Sequence, residues 1–245
     1  MKEGRSRRTA AFWLLGVGGV LITAAIIALY TPWLPIFDLR QVSVSGNLET
    51  PARDVLRALN LSRGVALPSI SLKAAERRIS VLPWVKSVRV TRDFPHGLHI
   101  IIAERQPIAR LSRDGVGCLL IGEGGVVVSS DCSGFGDLIL LMGIDTLGEG
   151  AGARLADGEV MRLISVLRET DLQGLVIEGI DVSGTERRVE LIDRSGIRVL
   201  LGSLSVAAER VAYLEALCRS MDVEEYELID LRYGGEATLV PRVRR

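Results

Sequence analysis

The spacing of apolar and polar residues changes character along the chain, and each change marks a segment. From Ala10 to Leu29 the residues are apolar almost without a break, Thr23 being the one hydroxyl, and no charge stands between Arg8 and Asp38. A helix of about 20 residues spans about 30 Å, the thickness of bilayer hydrocarbon. Phe12 and Trp13 sit at one end of the run, Tyr30 and Trp33 at the other, where amphipathic rings favour the headgroup level. Pro32 and Pro35 stop the helix. The run is longer than a signal-peptide core, and no small-residue cleavage site follows it before the prolines, so it reads as an uncleaved anchor over residues 10–33. Lys2, Arg5, Arg7 and Arg8 precede it and no base lies between Tyr30 and Leu39. Residues 1–9 are therefore expected in the cytoplasm and the bulk of the chain outside it.

Beyond the prolines the period shortens. Phe37 to Ser45 alternates as a strand, and Gly46-Asn47 is a turn. Thr50-Pro51 opens a helix that carries Val55, Leu56 and Leu59 on one face. Ser71 caps a second helix burying Ala74, Ala75 and Ile79, which Pro83 ends. Val85 to Arg92 and Leu98 to Ala103 alternate as two strands around Pro95-His96-Gly97, and Trp84 is expected to pack on Val55, Leu59 and Ile79. The order βααββ defines a compact α+β unit over residues 36–105.

Residues 106–241 show short β-like runs separated by Gly-rich turns, notably Gly122-Glu123-Gly124-Gly125 and Arg194-Ser195-Gly196. Two amphipathic helices interrupt them. Asp157 caps the first, with Val160, Leu163, Ile164 and Leu167 inward; the second runs from about Val206 to Met221, with Val211, Leu214 and Leu217 inward. Tyr226–Tyr233 and Ala237–Val240 close the pattern, and residues 242–245 form a basic tip. The expected class is α+β: a transmembrane helix, a βααββ domain, then a mainly antiparallel β domain with two helices.

Composition adds mostly exclusions. Lys+Arg and Asp+Glu are 30 each in 245 residues, so no overall basic charge marks a nucleic-acid-coating protein. Aromatics are 4%, too sparse for stacking single strands. There is no P-loop and no G-x-S-x-G elbow. The two histidines, His96 and His99, point different ways on a turn-to-strand stretch. No catalytic, cofactor or metal residues are assigned. Cys118 and Cys132 flank the Gly-rich turn. With Gly122–Gly125 as the turn, Cys118 faces Ser129, so a disulfide needs a bulge or a curl after Ser130, and the pairing stays open. Cys218 reads as a small core residue.

The whole chain resembles the FtsQ/DivIB family of bacterial cell-division proteins. The resemblance rests on Leu82-Pro83-Trp84-Val85 followed by Val88, Val90, Arg92, Pro95, Leu98, Ile100, Glu104, Arg105, Pro107 and Ala109. It continues in Gly196-Ile197-Arg198-Val199-Leu200-Leu201-Gly202 and in Ile229-Asp230-Leu231-Arg232-Tyr233. Gly122 departs from the family's usual Asp, and Arg210 stands where Lys is common. The resemblance implies a POTRA module at 36–105 and a non-catalytic scaffold of the septation machinery. That scaffold is anchored in the inner membrane by a single pass and sits at the division septum. Implied partners are the coiled-coil proteins FtsB and FtsL, the septal peptidoglycan synthase complex, and FtsK for the POTRA unit. The tyrosine of the D-L-R-Y motif, a partner-binding residue in the resemblance, maps to Tyr233. Asp230, Arg232, Gly235 and Ala237 are expected beside it in the partner site, with the last strand as an open sheet edge. A POTRA-containing outer-membrane assembly or secretion factor and a membrane-anchored periplasmic enzyme are the alternatives.

Overall fold

The computed structural model describes residues 17–27, 37–62, 64–113, 117–184, 186–233 and 235–242. Residues 17–27 form helix α1, whose side chains are almost all exposed. Among the described residues no helix is long and apolar enough to cross a membrane. The remainder of the expected span, the cytoplasmic tail and residues 243–245 lie outside the described residues.

The rest divides into two compact units, residues 37–80 with 87–103, and residues 81–86 with 104–245. In the first, β1 (Gln41–Ser45), α2 (Ala52–Leu59), α3 (Leu72–Ile79), β2 (Val85–Asp93) and β3 (Gly97–Glu104) follow the expected βααββ order. The sheet order is β1-β3-β2, with β1 parallel to β3 from Gln41↔Gly97 to Ser45↔Ile101. Gly46 turns the chain out of β1 at φ +79°, and a Cβ there would run into the Ile102 carbonyl, so the position requires glycine. Val55, Leu59, Ile79, Leu98 and Ile100 are fully buried between helices and sheet. Ser71 caps α3 by accepting from the Ala74 amide. By contrast Thr50 makes no cap: Pro51 holds the N-cap of α2 without a side-chain hydrogen bond. Leu56 is 45% exposed rather than buried, because Val55 and Leu59 alone, four residues apart, fill the inner face of a two-turn helix. Trp84 is only half-buried.

Among the described residues the second unit is an eleven-stranded sheet with two α-helices. Its strands are β4 (Pro107–Arg113), β5 (Gly117–Gly122), β6 (Val126–Ser129), β7 (Ile139–Met142), β8 (Thr146–Leu147), β9 (Arg154–Leu155), β10 (Ile177–Ser183), β11 (Arg188–Asp193), β12 (Arg198–Ser203), β13 (Tyr226–Asp230) and β14 (Thr238–Pro241). The spatial order is β14-β13-β12-β11-β10-β7-β4-β5-β6-β9-β8. Seven junctions are antiparallel. The three parallel ones place β7 between β4 and β10, and β13 beside β12. The sheet is thus mixed, with antiparallel pairing in the majority.

Helices α4 (Gly158–Glu169) and α5 (Leu204–Ser220) cover the apolar face. Asp157 caps α4 through the Glu159 amide, and Val160, Leu163, Ile164 and Leu167 are buried as the periodicity predicts. On α5 the inward stripe is Leu204, Ala207, Val211, Leu214 and Cys218, while Leu217 is only partly buried. Burial pushes the Cys218 thiol pKa up.

Cys118 and Cys132 are joined by a disulfide with Cα atoms 6.1 Å apart, inside the usual range of about 4.4–6.8 Å. The register explains it. Gly122 pairs with Val126 and Ile121 with Val127, but Leu120 pairs with Ser129, so a bulge slips the ladder by one residue. Continued along the strands, that slip sets Cys118 across from position 131, next to Cys132. Ser129 and Asp131 then turn the chain by accepting from the Asp131 and Ser133 amides.

Candidate functional site

The residues expected to bind a partner gather at one end of the sheet. β12 leads into α5, and α5 returns through a short 3-10 turn at Val223–Glu225 to β13, parallel to β12. The strand expected through Tyr233 ends at Asp230, and the reason is local. The Asp230 carboxylate accepts from its neighbour's backbone, Arg232 N at 3.0 Å, and from the Arg232 side chain, Nε at 2.9 Å and Nη2 at 2.7 Å. This Asx-type turn takes the chain out of the ladder, although the Leu231 amide still donates to the Leu200 carbonyl.

Asp230 is buried and its carboxylate fully engaged. The Arg232 guanidinium hydrogen-bonded to it holds its pKa below the ordinary carboxylate range, against the opposing effect of burial. The same bond raises the Arg232 pKa. Arg232 thus spends its fork on Asp230 and presents its outer face to the Tyr233 ring, 5.6 Å from Cζ to centroid. Leu231 points inward at 6% exposure, whereas Tyr233 is 68% exposed. Tyr233 therefore does not pack in the core. Gly235, at φ +93°, and Ala237 are exposed on the bend into β14.

Between this bend and α5 runs a groove of about 420 Å³, its walls formed by Arg210, Tyr213 and Leu217 on one side and Leu231, Tyr233 and Ala237 on the other. Tyr213 is 59% exposed. Arg210 reaches back to donate to the Leu201 carbonyl, and its guanidinium occupies the space a Cβ at Gly202 would need. Residue 202 also sits at φ +77°, so glycine there permits the arginine to close the head of the groove.

Sequence reasoning placed Asp230, Arg232, Tyr233, Gly235 and Ala237, and the structure brings all five onto or beside this bend. It missed the wall supplied by α5. The signal was a second helical stripe, Arg210, Tyr213 and Leu217 at spacings of three and four, lying beside the core stripe Val211, Leu214 and Cys218. The far edge of the bend is β14, whose only sheet neighbour among the described residues is β13. The surface offers ring faces, an apolar floor and, among the described residues, a strand edge with no neighbour, features suited to holding side chains and main chain.

The two histidines make hydrogen-bonding contacts within the first unit. His96 Nδ1 donates to the Asp38 carbonyl, and His99 Nε2 lies 3.2 Å from Ser45 Oγ. Among the described residues no three His, Cys, Asp or Glu side chains converge to hold a metal.

Comparison with known proteins first defines a class of module. Residues 37–105 match the family model for the POTRA domain, FtsQ-type. The likeness then extends beyond that module. A protein named Cell division protein FtsQ from Myxococcus fulvus is 27% identical over 217 residues, covering 80% of this chain and 76% of the relative. Its namesake from Rickettsia bellii is 24% identical over 200 residues, covering 80% and 69%. The one from Agrobacterium fabrum is 30% identical over 128 residues, where the match spans 51% of this chain but only 40% of the relative. These likenesses are to the same family that the sequence motifs resemble.

Proposed function

We propose that this chain is a non-catalytic scaffold of the bacterial division machinery, anchored in the cytoplasmic membrane with its two folded units outside. Residues 1–9 form its cytoplasmic tail, 10–33 its span, 36–105 its POTRA domain and 106–241 its β domain. It recruits FtsB- and FtsL-type coiled-coil proteins and links them to the septal peptidoglycan synthase, while the POTRA domain serves recruitment of FtsK. The observation that carries this reading is the pairing of an open strand edge, β14, with the groove between α5 and the Tyr233 bend. An incoming segment that adds a strand to β14 gains main-chain hydrogen bonds, and its side chains reach the rings of Tyr233 and Tyr213. The names of the relatives set the process, cell division.

The test is co-purification of the full chain with an FtsB-type partner from crosslinked membranes, comparing the native chain with a chain ended after Gly235. The shortened chain keeps the groove wall at Tyr233 but lacks β14, and capture is expected to fall to background while its level in the membrane persists. Undiminished capture places the partner elsewhere. A depletion phenotype of misassembled outer-membrane proteins without filamentation would overturn the division reading itself.

A further inference from the structure

We propose that Cys118 and Cys132 are a modification site, the substrate of an extracytoplasmic dithiol oxidase that installs their disulfide. The inference rests on the outward placement of the β domain proposed above. Three observations point to it. The bulge at Val128, where the Ile121↔Val127 pairing gives way to Leu120↔Ser129, is what sets Cys118 across from position 131 and so beside Cys132, and the pairing is thus written into the ladder register. Both cysteines are half-buried at the surface, within reach of a catalyst, while the third, Cys218, is buried under α5 with its thiol pKa raised by burial. In the folded unit that burial keeps Cys218 out of a catalyst's reach. The third observation is position. Cys132 opens the connection from β6 to β7, and β7 is the strand that joins β4 to β10, the two halves of the sheet. The far end of that connection is held by Arg110 Nε donating to the Leu138 carbonyl. The disulfide holds the near end.

The chemistry is thiol–disulfide exchange. One of the two cysteines loses its proton and attacks a sulfur of the oxidase's disulfide, forming a mixed disulfide and releasing one oxidase thiol. The second cysteine, deprotonated in turn, attacks the mixed disulfide at this chain's sulfur. The Cys118–Cys132 bond forms and the oxidase leaves as a dithiol. Two electrons and two protons pass from the chain to the oxidase.

Thiol counting on the full chain tests this. Membranes are denatured in maleimide-polyethylene glycol with and without prior reduction, and the mass steps are read on a gel. A reporter fused after Arg245 reads which side of the membrane the domain occupies. The expected result is one adduct without reduction, from Cys218, and three with it; Cys218→Ser shifts these to none and two. In cells lacking the periplasmic dithiol oxidase, three adducts are expected without reduction. Three adducts in oxidase-competent cells with the reporter active outside overturn the proposal and leave the scaffold reading intact. One adduct whether or not the oxidase is present overturns the catalysed installation. Three adducts with a reporter active only in the cytoplasm overturn both readings.

Discussion

Replacing Tyr233 with alanine separates binding from folding, because two residues on the same bend have opposite environments. Tyr233 is 68% exposed and Leu231 is 6% exposed. A tyrosine side chain carries about 200 Å² of surface, so about 140 Å² of Tyr233 is open to a partner. At about 25 cal/mol per Å² the most that its burial contributes is about 3.5 kcal/mol. Truncations at interface hot spots commonly cost about 2 kcal/mol or more, so Tyr233→Ala is expected to weaken the Kd for an FtsB-type partner about 30- to 300-fold. Its effect on unfolding is expected within about 0.5 kcal/mol, as for other surface changes. Leu231→Ala should do the reverse: it opens a cavity below the bend and costs about 2–5 kcal/mol of stability. The assay is binding of the purified full chain in nanodiscs to an immobilised partner ectodomain, with urea unfolding run in parallel. Native affinity in a folded Tyr233→Ala chain would refute the reasoning, because the exposed ring would then be in contact with water alone in both states.

A reporter enzyme active only outside the cytoplasm, fused after Arg245, is expected to be active, given four bases before Ala10 and none just beyond the apolar run; activity only of a cytoplasmic reporter there would reverse the topology. Cys118→Ala with Cys132→Ala removes a cross-link spanning 14 residues, which in the chain-entropy account is worth about 3 kcal/mol. The β unit's melting temperature is then expected to fall by about 6–12 °C in calorimetry, and adding reductant should lower the native protein to the same value. The Asp230 pKa is lowered in the fold, so its contribution is fully present above the ordinary aspartate range and is lost as pH falls through that range to the lowered folded value. Asp230→Asn is expected to flatten stability over that acidic window, read by urea unfolding at stepped pH.

How much of this was legible depends on whether the signal is local. The cap at Asp157 and the α4 stripe Val160, Leu163, Ile164 and Leu167 were readable because caps and 3.6-residue periodicity are properties of a few neighbouring residues. The βααββ order was readable for the same reason. The parallel insertion of β7 was not. Ile139–Met142 is a four-residue apolar run, and nothing within four residues says that its neighbours are β4 and β10, which lie far apart in the chain. The two-residue strands β8 and β9 fall below any periodicity. The Cys118–Cys132 pairing turned on one slipped residue, Val128, in a ladder whose turn had been located correctly. Tyr233 was legible as a site residue through the resemblance. Its exposure was not, because strand alternation carried past Asp230 puts it on the face of Leu231, and the Asp230–Arg232 fork ends that alternation.

The sheet has two edges, and their difference decides which one can accept a partner strand. At one end β8 is two residues long, held by β9, itself only two residues. So short an edge gives an incoming chain little ladder to extend, and brevity is one way proteins blunt an edge. At the other end β14 is four residues long and is paired antiparallel with β13 from Asp230↔Thr238 to Tyr226↔Pro241. Its outgoing end is tied down twice: the Arg242 amide donates to the Glu225 carbonyl at 2.8 Å, and Arg242 Nη2 to the Ser195 carbonyl at 3.0 Å. A tethered edge loses less conformational entropy when a second strand docks, and a template ordered in advance binds more tightly for the same contacts. The same argument gives Arg242 a part in binding without contact to the partner. If β14 works as a preorganised template, Arg242→Ala should weaken the partner by loosening the strand's end while leaving the groove residues untouched. An equal loss from Tyr233→Ala in the native and Arg242→Ala backgrounds would show the two to act independently. A smaller loss in the Arg242→Ala background would show that the ring reaches the partner only when β14 is held in place.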